Sequence, residues 1–445
     1  MINKKFITLG FVSVTVALSL LFSTNVLASS SKETPAKQEK SRLEALAKFT
    51  KVISIVEQYN VDEVSIEELM DKALDGMMSN LDAHSNFLTQ KDYKRLKVQT
   101  DGEFGGLGIT VGFKDGALTV IAPIEGTPAD KAGLKSGDII LKINDESTLS
   151  MTIDEAVTIM RGKVGDPIDI TIVREGENKP LSIHIVRGVI TIQSVYTKTI
   201  GENIQYIRVT SFDKKVVSDV SKAIKKAKGK TKGIVLDLRN NPGGLLDEAV
   251  GLVDIFVNDG KIVSQKGRKK SEEQSYKAKA SNTLTNVPLV VLVNGGSASA
   301  SEIVSGALQD HKRAIIVGQK TFGKGSVQVV LPVTETEAIK LTIARYYLPS
   351  GRTIQAVGVT PDIEVFPGEV KTRKTNFSLK EADLKKHLKK ELEKVEGKSG
   401  KKEINKDEKE NNKHIITAEQ MNKDIQLKEG VDIIKALIII KQSKF

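Results

Sequence analysis

The feature that most constrains the fold is a local plan that occurs twice in the second half of the chain. Residues 233–256 contain an apolar strand, a turn with two adjacent glycines and a helical pattern, and residues 287–309 repeat this order. Strands without polar alternation are typical of sheets that are covered on both faces. The repeated plan therefore predicts a layered α/β core, which we place at residues 189–367.

Composition excludes several classes of protein. The 445 residues exceed one compact domain, and 39% hydrophobic with 28% charged residues is typical of a soluble globular protein. The net charge is +11, but Trp is absent and aromatic residues make up only 4%, so a base-stacking surface for nucleic acid is not expected. Cysteine is absent, which excludes disulfides, thiolate nucleophiles and iron–sulfur clusters. Covalent chemistry is left to Ser, Thr, Lys or a carboxylate.

The N-terminal segment, residues 1–28, has the pattern of a signal peptide. Lys4 and Lys5 precede an apolar stretch at 6–27, and small residues before Ala28 fit cleavage after it. An uncleaved anchor helix is the alternative, since about twenty apolar residues can span a bilayer. Both interpretations predict an exported protein, in the periplasm or on the outer face of the cytoplasmic membrane, where ATP is not available.

The remaining segments differ in their patterns of apolar, glycine and charged residues. Residues 31–99 carry apolar side chains at steps of three and four, which predicts helices that serve packing or dimer contact. Residues 100–188 contain short strands broken by glycine, with a helix at 151–161. Residues 368–445 begin as a charged linker, partly helical or disordered, and end in an apolar segment that docks as a helix or strand.

The run at 125–140, Glu-Gly-Thr-Pro-Ala-Asp-Lys-Ala-Gly-Leu-Lys-Ser-Gly-Asp-Ile-Ile, closely resembles a PDZ domain. Such a domain adds an extended peptide to a sheet edge, and its backbone N–H groups capture the terminal carboxylate. The resemblance implies that these donors lie at Leu107, Gly108 and Ile109. A structural module that binds no peptide is the alternative.

Arg161 ends the predicted helix of this module. One interpretation is a cation that stabilises the C-terminal end of the helix. The other is a regulatory contact between the PDZ module and the core.

Two motifs in the core carry the candidate chemistry. Residues 294–303 place several hydroxyls after a strand and a glycine turn, at the start of a helix, where N–H groups can hold an oxyanion. The alternative is structural, because Ser299 and Glu302 have the spacing of a capping box. Lys324 lies between two glycines, next to Phe322 and before an apolar strand. Desolvation there lowers a lysine pKa and allows it to act as a general base.

Histidine is a weaker candidate for the base. Only His311 lies near the serine run, and it follows the helix rather than preceding it. The other four, His84, His184, His387 and His414, lie in other predicted segments, and the chain has no Gly-x-Ser-x-Gly elbow. A Ser–Lys pair is therefore preferred over a Ser-His-Asp triad, and no metal or cofactor is expected.

Together with the leader and the PDZ module, these motifs are similar to the carboxyl-terminal processing peptidases, or tail-specific proteases. The resemblance covers residues 81–367 and includes Leu-Asp-Ala-His-Ser at 81–85 and Asp-Leu-Arg-Asn-Asn-Pro-Gly-Gly at 237–244. It implies a multidomain α/β protein with N-terminal helices, a PDZ domain and a ClpP/crotonase-like ββα-repeat serine protease core. It also implies the site residues: nucleophile Ser299, base Lys324, Gln328 to orient the lysine, and oxyanion N–H groups of Ala300 and of either Gly243 or Gly244.

The function expected from this resemblance is an ATP-independent serine endopeptidase that cleaves exported proteins near their C-termini. Its partners are protein substrates with exposed C-termini, while a homo-oligomer through the terminal helices and an adaptor protein stay open. A catalytically inactive PDZ scaffold is the alternative. A crotonase-like hydratase or thioesterase is a weaker one, because it needs a coenzyme A site and a cytoplasmic address.

Overall fold

A computed structural model describes residues 35–370 and 414–442. The predicted signal peptide and most of the charged linker lie outside these residues. Contacts divide the chain into two units, residues 1–74 and residues 75–445. Among the described helices, none combines the length and the apolar character that a membrane span requires.

The N-terminal part is mainly helical, as predicted. Its elements are α1 (Pro35–Tyr59), α2 (Ile66–Ser79), β1 (Asn86–Leu88), α3 (Gln90–Asp101) and β2 (Glu103–Gly106). Helix α1 exposes large apolar side chains at steps of three, with Leu43 63% and Leu46 62% exposed. Strand β1 differs from the expectation of helices alone, since three residues are too short to show a period in the sequence.

The next segment forms its own sheet over its own core. Its elements are β3 (Ile109–Lys114), β4 (Ala117–Pro123), α4 (Pro128–Lys131), β5 (Ile139–Ile143), β6 (Glu146–Ser147), α5 (Ile153–Met160), β7 (Pro167–Val173) and β8 (Leu181–Val186). The strand order is β3-β4-β5-β7-β8, with β6 paired to β5, so β3 is an edge strand. The short strands predicted for residues 100–188 and the helix predicted at 151–161 are confirmed.

Local sequence explains how this module closes. The hydroxyl of Thr152 accepts the N–H of Glu155 at 3.2 Å, and the Glu155 carboxylate accepts the N–H of Thr152 at 2.7 Å, so a capping box starts α5. Asp138 is buried at the entry to β5, where Arg174 donates to both of its carboxylate oxygens at 2.7 and 2.8 Å. A two-stranded ribbon of β2 and β9 (Gly188–Thr191) then leads out of the module.

The core has the predicted α/β layers. Its elements are β10 (Val195–Ile200), β11 (Ile204–Val209), α6 (Val216–Lys226), β12 (Gly233–Asp237), α7 (Leu246–Asp254), β13 (Lys261–Gly267), β14 (Gln274–Lys277), β15 (Leu289–Val293), α8 (Ala300–Asp310), β16 (Ile315–Gly318), β17 (Ser326–Pro332), β18 (Ala338–Tyr347) and β19 (Ile363–Glu364). The main sheet has the order β19-β16-β15-β12-β11-β10, and every residue of β12 and β15 is buried. Both repeated strand-turn-helix units are confirmed.

A second sheet brings distant segments together. Its order is β1-β18-β13-β14, with β17 paired to β18. Strand β1 lies antiparallel to β18, with Asn86 opposite Lys340. The segment just before β1 therefore lies beside the β17–β18 hairpin.

The C-terminal segment completes the main sheet. It forms β20 (Ile415–Ile416), α9 (Ala418–Asn422) and α10 (Ile425–Gln442). Strand β20 is parallel to β10, and α10 packs on β12, β15 and β16, opposite the face that α6, α7 and α8 cover. The apolar end of the chain thus docks as both a strand and a helix.

Because α10 packs closely on β12, a larger residue at position 233 should destabilise the fold. A Cβ at Gly233 would overlap the Cγ2 of Ile434, which is fully buried. Gly233→Ala should therefore destabilise the chain by about 1–3 kcal/mol, measured by urea denaturation followed by circular dichroism. Gly368→Ala is the matched control, because a Cβ there would lie 3.8 Å from Ile425, an ordinary contact. Equal urea midpoints for the two variants would contradict this packing.

Candidate active site

The site forms where two adjacent parallel strands end. Strands β12 and β15 pair directly, and the loops that follow them hold each other. The N–H of Asn240 donates to Oδ1 of Asn294 at 2.9 Å, and Nδ2 of Asn294 donates to Oδ1 of Asn240 at 2.8 Å. The two glycine turns predicted from the sequence are thus neighbours at the carboxyl edge of the sheet, where open α/β sheets place their sites.

The three serines of the serine run have different roles. Ser297 and Ser301 are fully buried, and their hydroxyls donate to the carbonyls of Leu238 at 2.8 Å and Asn241 at 2.9 Å. Ser299 is partly exposed, and its hydroxyl donates to no protein acceptor within residues 35–370 and 414–442. Only the middle serine keeps its hydroxyl proton uncommitted.

The backbone of Ser299 is strained. Its φ is 52° and its ψ is −109°, a conformation that residues with a side chain rarely adopt. Ser299 occupies the tight turn between β15 and the first turn of α8, where the positive end of the helix dipole lies. A strained strand-to-helix turn that presents a serine is the geometry of a nucleophile elbow, here without the usual glycine pattern.

The carboxylate of Glu302 connects this turn to the loop at residues 321–325, the lysine loop, which contains Lys324. Glu302 is fully buried, and its oxygens accept the N–H of Ser299 at 2.8 Å, Gly323 at 2.7 Å and Lys324 at 2.8 Å, and the hydroxyl of Thr321 at 2.5 Å. The capping-box interpretation is thus only part of its role. No sequence pattern indicated that Glu302 also binds the lysine loop, because the three donors in that loop lie 19–22 residues further on.

Lys324 has the electrostatic setting that the sequence predicted. Burial is the main cause that lowers its pKa, and the neighbouring ammonium of Lys340 lowers it further. The carboxylates of Asp82 and Glu302 act in the opposite direction, and the net effect is a lowered pKa. A larger fraction of Lys324 is therefore neutral at a given pH than for a free lysine.

Gln328 lies on β17, which begins two residues after Lys324, but it is held by other groups. Its Nε2 donates to Oγ of Ser326 at 2.8 Å and to Oγ1 of Thr342 at 3.2 Å. Among the described residues, its hydrogen-bond partners are these hydroxyls and not Lys324. The expected role of orienting the lysine is therefore not visible as a direct contact.

The glycine turn after β12 lies against the serine turn. A Cβ at Gly243, whose φ is 106°, would come within 2.9 Å of the Ser299 Cβ and 3.1 Å of the Ala300 nitrogen, so only glycine fits. The N–H of Gly243 donates to Oδ1 of Asn241 at 2.9 Å. Within the described part of the chain, the N–H groups of Gly244 and Ala300 have no acceptor.

The predicted peptide-binding residues lie at the edge of the PDZ sheet. The carbonyl of Leu107 accepts the N–H of Ala129 at 2.9 Å, and that of Gly108 accepts the N–H of Ile124 at 2.8 Å. These bonds fix the loop that leads into Ile109, the first residue of edge strand β3. An open edge next to a fixed loop is the arrangement that accepts an added strand.

Arg161 contacts the ribbon that leaves the PDZ module. Its guanidinium stacks on the ring of Phe104 in β2, 4.4 Å from the ring centre. Its Nε is buried and has no hydrogen-bond partner among the described residues. The N–H of the next residue, Gly162, donates to the carbonyl of Gly105 at 3.1 Å. The end of α5 is thus attached to β2 and not to the candidate catalytic residues.

Comparison with known proteins agrees with this architecture. The model of peptidase family S41 matches residues 203–365, and a PDZ domain model matches residues 119–174. The chain is 44% identical over 365 residues to a carboxy-terminal-processing protease of Bartonella bacilliformis, covering 81% of this chain and 84% of that protein. It is 34% identical over 331 residues to the carboxy-terminal processing protease CtpA of Bacillus subtilis, covering 73% and 71%.

The photosystem II D1 C-terminal processing protease aligns with a TM-score of 0.42 at 27% identity, over 70% of this chain and 85% of that one. The two sequence relatives are each matched over more than two thirds of their length. The protein is therefore a serine peptidase that belongs to the carboxy-terminal processing proteases of family S41.

Proposed function

We propose that Ser299 is the nucleophile and Lys324 the general base of an ATP-independent endopeptidase that cuts protein substrates near their C-termini. One observation carries this proposal: the buried Glu302 carboxylate binds the backbone N–H groups of both residues. Ser299 is also the serine of its run whose hydroxyl proton is uncommitted within the described residues.

The reaction follows from these positions. Neutral Lys324 takes the proton from the Ser299 hydroxyl as the oxygen attacks the scissile carbonyl. The resulting oxyanion accepts hydrogen bonds from the Ala300 N–H and from a glycine of the 243–244 turn. The protonated lysine gives its proton to the leaving amine, and water then hydrolyses the acyl-enzyme through the same base.

Either glycine can serve as the second oxyanion donor. Gly243 lies against Ser299, but its N–H is engaged by Asn241. The N–H of Gly244 has no acceptor within the described residues. The second donor is therefore Gly244 with the turn as it stands, or Gly243 once its bond to Asn241 is released. Gln328 acts on Lys324 indirectly, because it lies on the strand that follows the lysine loop.

The substrate tail is bound by the PDZ module. Its terminal carboxylate binds the N–H groups of Leu107, Gly108 and Ile109, and its backbone pairs with edge strand β3. Arg161 and its stack on Phe104 couple this event to the core. The protein acts after export, in the periplasm or on the outer face of the cytoplasmic membrane. The exposed apolar residues of α1 suit a second copy of the chain, and an adaptor is a further partner.

Alanine substitution of the serine run separates chemistry from structure. Ser299→Ala should abolish peptide cleavage and change stability little. Ser297→Ala should lower the free energy of unfolding by about 1–3 kcal/mol, because the N–H of Asn294 loses its bond to the Ser297 hydroxyl. The measurements are hydrolysis of a fluorogenic peptide and urea denaturation. Cleavage by the Ser299→Ala variant would refute the assignment of the nucleophile.

The role of Lys324 as a base predicts a distinct pH dependence. Its lowered pKa means that the neutral, active form appears as pH rises through a value below that of free lysine, about 10.4. The plot of kcat/KM against pH should therefore rise below that value. Lys324→Arg should be as inactive as Lys324→Ala, since a guanidinium keeps its proton. Substantial activity in the arginine variant would exclude a lysine base.

Recognition of a tail carboxylate predicts discrimination between two forms of one peptide. A substrate with a free C-terminus should be cleaved about 5–150-fold faster than its amidated twin at concentrations below saturation. Arg161→Ala should weaken activation by a tail peptide added in trans, with the affinity of the peptide for the isolated PDZ module unchanged. Equal cleavage of the two substrates would leave the PDZ module as a passive tether.

A further inference from the structure

The segment at 81–85 is folded around one carboxylate. Oδ1 of Asp82 accepts the N–H of His84 at 2.8 Å and that of Ser85 at 3.0 Å, and Oδ2 accepts the Ser85 hydroxyl at 2.7 Å. Burial raises the pKa of Asp82, but these hydrogen bonds outweigh it and leave the pKa below its usual value. The turn thus holds a negative charge just before β1.

A chain of hydrogen bonds leads from Asp82 to the β17–β18 hairpin, which follows the lysine loop. Oδ1 of Asp82 accepts the hydroxyl of Thr342 at 3.1 Å, and the Thr342 oxygen accepts Nε2 of Gln328 at 3.2 Å. The Ser85 hydroxyl in turn accepts the N–H of Thr342 at 3.1 Å. The Asp82 turn, about 240 residues before Lys324 in sequence, is therefore hydrogen-bonded to the β17–β18 hairpin that follows Lys324.

A cation lies on the same sheet. Lys340 precedes Thr342 by two residues on β18, so both side chains lie on one face. The strand register places Lys340 opposite Val330 of β17 and Asn86 of β1. The β17–β18 hairpin that follows Lys324 therefore carries a cation on β18 and is hydrogen-bonded to an anion in the turn before β1.

We propose that Asp82 and Lys340 are positioning residues that together set the charge state of Lys324, with Asp82 also fixing the hairpin through Thr342 and Gln328. This proposal rests on the assignment of Lys324 as the general base. A base works best when its pKa lies near the working pH, so opposing charges give a balance that neither supplies alone. Lys340 favours the neutral lysine that starts the reaction, and Asp82 favours the protonated lysine that donates to the leaving amine.

Other titratable groups near Lys324 include His84, Glu302 and Arg345, which lies opposite Ser326 on β18. Burial lowers the pKa of His84, and so do Lys324 and Lys340, while Asp82 raises it. Glu302 is bound to the backbone on both sides of the site. A test of Asp82 and Lys340 must therefore separate Lys324 from His84.

The experiment measures kcat/KM against pH for Asp82→Asn and Lys340→Gln in the full chain. Loss of the anion should move the rising limb of the pH profile to lower pH, and loss of the cation should move it to higher pH. Asp219→Asn and Lys222→Gln are matched controls, because they remove an exposed ion pair on α6 and should leave the limb in place. Thr342→Val should lower kcat without moving the limb, since it breaks the link to Gln328 and changes no charge.

The outcomes are distinct. Unmoved limbs, or limbs that move in the same direction, would overturn the proposal while Lys324→Ala stays inactive, and the base assignment would stand. An active Lys324→Ala would refute the base assignment instead. Shifts that disappear in a His84→Asn background would identify His84 as the titrating group and also overturn the proposal. If Asp82→Asn fails to fold, the shift of Lys340→Gln to higher pH decides.

Discussion

The buried carboxylate of Glu302 is the contact on which the geometry of the site depends. Its four donors are neutral groups, three backbone N–H groups and one hydroxyl, and they come from two segments that the chain brings together only when the core is formed. A buried carboxylate is costly unless its oxygens are hydrogen-bonded, so each donor is held in place by the others. The Ser299 turn and the lysine loop are therefore positioned as one unit.

The reactivity of Lys324 depends on a competition among charges. Burial and Lys340 favour the neutral amine, and Asp82 and Glu302 favour the ammonium. These groups come from four places in the chain: the turn before β1, helix α8, the lysine loop and strand β18. The site thus needs the second sheet as much as the first, because β18 and the turn before β1 carry two of these charges.

The PDZ module and the core share a continuous set of contacts. Arg161 stacks on β2, and Glu103 of β2 pairs with Lys215 at 2.5 Å. The loop that carries Lys215 also donates the N–H of Phe212 to the carbonyl of Gly243 at 3.0 Å. The ribbon next to the peptide-binding module therefore touches the loop that holds the candidate oxyanion glycine. These contacts support the proposal that occupancy of the module biases the site.

The sequence by itself determined the elements that local pattern controls. The strands β12 and β15 follow from unbroken apolar runs, the turns from paired glycines, and the lowered pKa of Lys324 from a lysine enclosed by glycine and apolar neighbours. Membership of the S41 peptidases followed from the motifs at 237–244 and 294–303, together with the PDZ run, and the comparisons confirmed it. These features depend on residues close in sequence, so a single sequence is enough to show them.

Only the tertiary structure decided how the remaining groups act. It committed the hydroxyls of Ser297 and Ser301 to buried carbonyls, gave Glu302 its bonds to the lysine loop, and placed Asp82 against the β17–β18 hairpin. The physical reason is the same in each case. Hydrogen bonds and charges act over a few ångströms in space, whereas these partners are separated by about 20 to 260 residues in sequence, and no local pattern of residue types encodes such a pairing.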